Sequence, residues 1–280
     1  MSKETSKVSA RVAMAMLASL SVLVSCGGES DAGCSSRDSV VVLSASSLKV
    51  PLERTREDFA RVQPCADVTF SFGSSGALAS QIVAGVPADI FLSAGKKATN
   101  QVVATGSVQN GPSDFVRNSL SIMVSNKSKY ADRVTNLADL SDERNDGIVV
   151  GICDKNAPCG ALADTVLLNA STLYATDLTR ASVADTEATS VEALVTKIEL
   201  GEVDAGLVYS SDCTIALGNA DVRCISIAIE QDGNRLNEFT TYSAVLVSSS
   251  DAGRAFFDFV TSTSFTEELV KVFGFSAATP

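Results

Sequence analysis

The stretch FGSSGALASQIVAGVPADIF, residues 72–91, decides the fold. It continues the β-prone run of residues 68–72 and turns through Gly73, Ser74, Ser75 and Gly76. A helix follows with Leu78, Ile82 and Val83 on one face, broken at Gly85 and Pro87 before the apolar run Ile90, Phe91, Leu92. Strand, polar turn, helix, turn, strand is the pattern of an α/β unit. A Ser/Gly turn feeding a helix leaves backbone N–H groups without intrahelical partners. Those groups and the serine hydroxyls can hold an anion at the positive end of the helix dipole. The same serines can equally act as helix caps alone.

Upstream the pattern repeats. Residues 39–43 are a continuous apolar run suited to a buried parallel strand. Serines 44, 46 and 47 follow, then a helix to about residue 62 with Leu48, Leu52, Phe59 and Val62 on one face. In a parallel sheet both serine turns lie at carboxyl ends of strands, where open α/β sheets place ligands. That puts Ser47 and Ser75 at one site, with capping as the alternative for each.

Downstream, strands are expected at residues 90–94, 120–124, 148–152, 205–209, 222–229 and 242–247. Helices are expected at 96–106, from 160 to about 168, from 190 to 200, and at 251–260 and 266–273, with a short turn at 137–140. Thr189-Ser190-Val191-Glu192 has capping-box spacing, with Thr189 as N-cap and the Val191 amide at N2. The strand at 205–209 delivers Tyr209 at its end. No Pro/Ser-rich linker divides the chain, so two lobes would exchange the chain near residues 118–124 and 238–246.

Composition bounds the function. Lys3, Lys7 and Arg11 precede an apolar run at 12–24, 13 residues long and too short to span a bilayer. Leu23-Val24-Ser25-Cys26 with Gly27-Gly28 resembles a bacterial lipoprotein signal, cleaved before a lipid-bearing Cys26; an ordinary secretory signal is the alternative. Either places the mature domain outside the cytoplasm, with residues 1–25 as signal and 26–38 as a tether. Loss of residues 1–25 removes three basic residues and one acidic one, moving the net charge from −11 to −13. That charge argues against a nucleic-acid partner. An anion site here must work through local donors.

Setting Cys26 aside, six cysteines remain in an oxidising compartment: Cys34, Cys65, Cys153, Cys159, Cys213 and Cys224. Local order favours Cys153–Cys159 and Cys213–Cys224, leaving Cys34–Cys65. With no histidine and no Cys-x-x-Cys, direct side-chain metal ligation is not expected. The missing histidine also rules out a Ser–His–Asp triad at Ser47 or Ser75.

The candidate donors are Ser47, Ser75, the amides at Cys159 and Gly160, the Val191 amide and the Tyr209 phenol. None is charged. A fully deprotonated tetrahedral oxyanion presents only acceptors and suits such a set, whereas hydrogen phosphate would also want a carboxylate. Asp89 reads as a structural hydrogen-bonding residue, and Lys96 and Lys97 as solvated surface.

These motifs carry a family resemblance. SASSL (44–48), SFGSSGALASQI (71–82), AGVPADIFLSA (84–94), RNSLSIMV (117–124), VGICDKNAPCGALA (150–163), SVEALV (190–195), DAGLVYSSD (204–212) and VFGF (272–275) occur in order across the mature chain. The chain resembles the molybdate-binding solute-binding proteins (ModA) of molybdate ABC transporters. The resemblance implies an α/β, two-lobed, type II periplasmic-binding-protein-like fold, each lobe a mixed, mostly parallel sheet flanked by helices. The expected lobes are 39–120 plus 243–280 and 121–242. It implies a monomeric, lipid-anchored binding protein, with no enzyme activity and no cofactor, that passes molybdate and also tungstate to a membrane permease; sulfate or another tetrahedral oxyanion is the alternative ligand. Its ligand contacts carry over to Ser47, Ser75, Cys159, Val191 and Tyr209. The sequence departs from the family pattern at Cys159, often alanine, and at Gly76, frequently a third serine.

Overall fold

The computed structural model describes residue 34, residues 37–141 and residues 145–278. The expected signal at 1–25 and the lipid-bearing Cys26 lie outside the described residues.

The chain begins with β1 (Asp38–Ala45), whose last four residues are all buried. A 3-10 turn at Ser46–Leu48 leads into α1 (Lys49–Arg54) and α2 (Arg56–Val62). The single helix expected here is broken at Thr55, whose Oγ1 donates back to the Pro51 carbonyl at 2.9 Å. Then come β2 (Ala66–Gly73), α3 (Ser75–Val83), β3 (Ile90–Ser93) and α4 (Lys96–Val103). On α3 the packed stripe is Ser75, Leu78, Ala79 and half-buried Ile82; Val83 falls one position past it and is 51% exposed, not inward as expected.

β4 (Asn110–Asn118) has no counterpart in the sequence reading, and β5 (Leu120–Ser125) follows after one residue. β6 (Val150–Cys153) runs to α5 (Pro158–Tyr174), which continues six residues beyond the expected end at 168. α6 (Arg180–Val183), β7 (Thr186–Ala188), α7 (Val191–Leu200), β8 (Ala205–Tyr209), α8 (Ser210–Ile215) and β9 (Val222–Ser226) complete this part. A two-strand ribbon, β10 (Glu230–Gln231) with β11 (Asn234–Arg235), precedes β12 (Thr240–Leu246). α9 (Asp251–Val260), α10 (Thr263–Phe273) and β13 (Ser276–Ala277) end the chain.

The strands form two sheets with helices packed on them, ordered β13-β4-β12-β3-β1-β2 and β7-β6-β8-β5-β9. Parallel pairing is confined to the strand–turn–helix units, β1 with β2 and β3, and β6 with β7 and β8. The other pairings, through β12, β4 and β13 in one sheet and β5 in the other, are antiparallel. The sheets are therefore mixed, as expected: β1 to β4 in one and β6 to β9 in the other point the same way, and β12 and β5 run against them. The reason is topological: strands entering from the other lobe arrive pointing the opposite way.

β4 and β12 belong to the first sheet and β5 to the second, so the chain crosses at Ser119 and returns ahead of Thr240. Buried Asn237 ties the crossings together. Its amide donates to the Leu120 and Ile227 carbonyls at 2.8 and 3.0 Å, and its Oδ1 accepts from the Leu120 N–H. Three disulfides are formed, Cys34–Cys65, Cys153–Cys159 and Cys213–Cys224, the set that local order favoured. Asp89 is structural: its carboxylate accepts from the Val41 amide and from the Ser248 and Ser250 hydroxyls.

Candidate functional site

Three helices begin at the same place in space. The 3-10 turn after β1 presents Ser47, 4% exposed, and the start of α3 presents Ser75, 1% exposed, at N1 after its N-cap Ser74. From the second sheet, α5 presents Cys159 one residue after Pro158 at N1, and α7 presents Val191 at its first position. Tyr209 arrives at the end of β8. Amides in the first turn of a helix have no intrahelical acceptor. Five of the six sequence candidates line one cavity of about 10 Å³, together with Ser46 and Ser74, which the sequence reading did not single out; the sixth, the Gly160 amide, is spent on the Ala157 carbonyl at 3.0 Å and does not reach it. That is room for about one water, far below the cavities that hold organic solutes, so even a tetrahedral ion needs the helix starts to move apart. None of its twelve lining residues is charged, so the chemistry is that of neutral donors.

The capping at α7 differs from expectation. Ser190, not Thr189, is the N-cap, in extended backbone, and its side chain accepts from the Ala193 N–H at 3.2 Å. Val191 is therefore N1 rather than N2, which still leaves its amide free of the helix ladder. Glu192 is released from the expected box and pairs with Lys49 instead, at 2.6 Å.

The Ser75 hydroxyl is set up as a donor. Ser75 Oγ accepts from the Ala94 amide at 2.9 Å, which leaves its proton for another acceptor. Ser47 Oγ lies 2.7 Å from the hydroxyl of Tyr242, a fully buried β12 residue that the sequence reading treated only as part of a strand. The Tyr209 hydroxyl is buried and makes no hydrogen bond of normal geometry among the described residues, although it interacts with the Tyr242 hydroxyl. A buried polar group left unpaired costs on the order of 1–3 kcal/mol, so this phenol is a ready donor to an acceptor brought into the cavity. Burial, reinforced by Tyr242 and Asp212, raises its pKa well above the usual phenol range. Burial likewise pushes Tyr242 up, so both phenols keep their protons at neutral pH.

The rigid parts behind the donors are specific. In the 153–160 loop, Arg180 donates to the Cys153 and Gly160 carbonyls at 2.9 and 3.0 Å while pairing with Asp164 and Glu187. Gly160 is required there, because a Cβ would run into the Asp154 and Cys153 carbonyls. Across the cleft, Gly76 faces Asn156, whose carbonyl oxygen would lie 2.8 Å from a Cβ at position 76. A larger cleft of about 680 Å³ adjoins the cavity, sharing Ser74, Ala157 and Pro158, and carries Lys96, Lys97 and Lys155 with one carboxylate, Asp154. Lys96 is paired with Asp114 rather than simply solvated.

The profile of the family described as bacterial extracellular solute-binding protein matches residues 40–275. The molybdate-binding protein ModA of Mycobacterium tuberculosis is 30% identical over 195 residues, 68% of this chain and 70% of that protein. Among solved structures, the periplasmic molybdate-binding protein of Azotobacter vinelandii aligns with a TM-score of 0.69 and 22% identity, over 86% of this chain and all (100%) of that one. The sulfate-binding protein SubI of Mycobacterium tuberculosis aligns with a TM-score of 0.71 and 13% identity, over 87% of this chain and 88% of its own. At those identities the structural likenesses speak to the two-lobed fold.

Proposed function

The chain belongs to the bacterial extracellular solute-binding protein family, and on that premise we propose that it captures molybdate, and tungstate with it, for an ABC permease. As a solute-binding protein it is not an enzyme. The observation that carries the reading is the orphaned Tyr209 hydroxyl at a small cavity lined by uncharged residues. An ion that only accepts hydrogen bonds satisfies that phenol, the two serine hydroxyls and the first-turn amides of α5 and α7 at once. Three helix N-terminal starts add their dipoles to those bonds. No carboxylate lines the cavity to receive the proton of hydrogen phosphate. The similarity to molybdate-binding relatives favours the larger oxyanions.

Sulfate is the second reading, because it too is an acceptor-only tetrahedral ion and the fold is shared with a sulfate-binding protein. In either case Ser47, Ser75, Cys159, Val191 and Tyr209 are the proposed contacts, with residues 39–120 plus 243–280 closing against 121–242 to exclude water. The Leu23-Val24-Ser25-Cys26 motif supports anchoring at the membrane through lipid on Cys26. A thermal-shift panel of molybdate, tungstate, sulfate, phosphate and small organic solutes tests the reading. Stabilisation by molybdate and tungstate is expected; stabilisation by an organic solute alone would sink it.

A further inference from the structure

We propose that Tyr242 is the positioning residue that turns the Ser47 hydroxyl toward the bound ion. The inference rests on the oxyanion reading above. Tyr242 Oη and Ser47 Oγ are 2.7 Å apart in a fully buried pair, and position alone lets either donate. The ion decides between them. An oxyanion has only acceptors, so a Ser47 whose proton is spent on Tyr242 would aim lone pairs at negative charge. With the proton on the ion, Ser47 Oγ is an acceptor and Tyr242 must donate to it. Ser75 has the same arrangement with the direction fixed, since the Ala94 N–H can only donate to its Oγ. Each site serine is thus backed by an internal donor that frees its own proton for the cavity.

The position of Tyr242 suits this task. It stands on β12 just past the returning crossing, and its ring is clamped by Phe275, Phe115 and Tyr209 with centroids 5.3, 6.3 and 6.1 Å away. Tyr209 comes from the other sheet and carries the orphaned hydroxyl. One buried ring therefore holds a site serine of the first lobe by its hydroxyl and a site tyrosine of the second by edge contact. Phenylalanine at 242 would keep the ring packing and delete the hydroxyl, and with it the donor to Ser47 and the interactions with Asn118 and Tyr209.

The test is a double-mutant cycle on the mature protein, Tyr242→Phe with Ser47→Ala, titrated calorimetrically with molybdate, tungstate and sulfate. Tyr242→Phe is expected to weaken the bound ion by about tenfold, the scale of one hydrogen bond to a charged group. In the Ser47→Ala background the same change should cost less than about twofold, because Tyr242 acts through Ser47. A purely structural loss would persist in that background and overturn the proposal, as would Tyr242→Phe binding with wild-type affinity. Failure of the wild-type protein to bind any of the three ions would overturn the oxyanion reading and this inference together. Wild-type binding with an indifferent Tyr242→Phe overturns the inference alone.

Discussion

Lys49 and Glu192 meet at 2.6 Å across the cleft, Lys49 two residues after Ser47 and Glu192 directly after Val191. Each stands on the helix start that also supplies a site donor, so the pair joins the lobes only when those donors converge. The hydrogen bond that Lys49 donates to Glu192 raises the Lys49 pKa. Its contribution is then present below the ordinary lysine value and lost only as the pH rises through the raised one, so the latch holds across neutral pH. The side chains are 40% and 42% exposed, which limits the gain. Glu192→Gln is expected to speed ion release about two- to fivefold at low salt, with the difference shrinking as salt is added. Stopped-flow release rates check this, and equal rates at low salt would remove the latch.

Gly76 lets the Asn156 carbonyl approach from the other lobe, and a Cβ there would sit 2.8 Å from that oxygen. Gly76→Ala is therefore expected to hold the cleft partly open and weaken ion binding at least about fivefold, the scale of a modest overpacking cost. Small-angle scattering with ion present should show a larger radius than wild type. An unchanged radius and affinity would mean that the contact does not limit closure.

Legibility followed the range of the interactions. β1, β2, α3 and β3 could be read because Val40 to Leu43 and the serine turns are local patterns. β4 could not, since Gly111, Pro112 and Asp114 break its β pattern and its place depends on pairing with β12 and β13, far along the chain. The five proposed contacts stood at helix starts or a strand end, positions that sequence marks by caps and breaks. Tyr242 was hidden for the opposite reason: its partner Ser47 lies 195 residues away, and nothing beside it in sequence signals a site. The shift from Thr189 to Ser190 as N-cap shows the limit of spacing alone, because Glu192 could serve either the cap or Lys49 and the tertiary partner prevailed.

Asp212 sits beside the site, its Oδ2 accepting from the Tyr209 N–H at 2.9 Å. Burial is the main cause that raises its pKa from 3.8 to about 7. A raised acid is favoured in its neutral form, so its contribution to stability is full below the unfolded value and is lost as the pH climbs through about 7. A neutral Asp212 also repels a nearby anion less. Ion affinity is expected to fall as the pH rises through about 7, and Asp212→Asn, which still accepts from Tyr209, should flatten that dependence. Titrations at several pH values decide; parallel profiles for the two proteins would contradict it.

The Cys153–Cys159 bridge closes the loop that carries the Cys159 amide into the cavity. Replacing both cysteines with serine should lower stability by about 2 kcal/mol, the loop-closure scale for so short a ring. Ion affinity should fall as well, because the amide is then held by Arg180 and the helix start without the covalent tie. Chemical denaturation and calorimetry measure the two effects separately. Lost stability with unchanged affinity would make the bridge a fold element only.

The most direct measurement is calorimetric titration of the mature protein with molybdate, run beside Ser75→Ala and Tyr209→Phe. One ion per chain is expected to bind at micromolar or lower concentration, displaced by tungstate, and each substitution should clearly weaken it while the fold survives. Absence of binding by molybdate in a protein that binds sulfate or another solute would contradict this expectation.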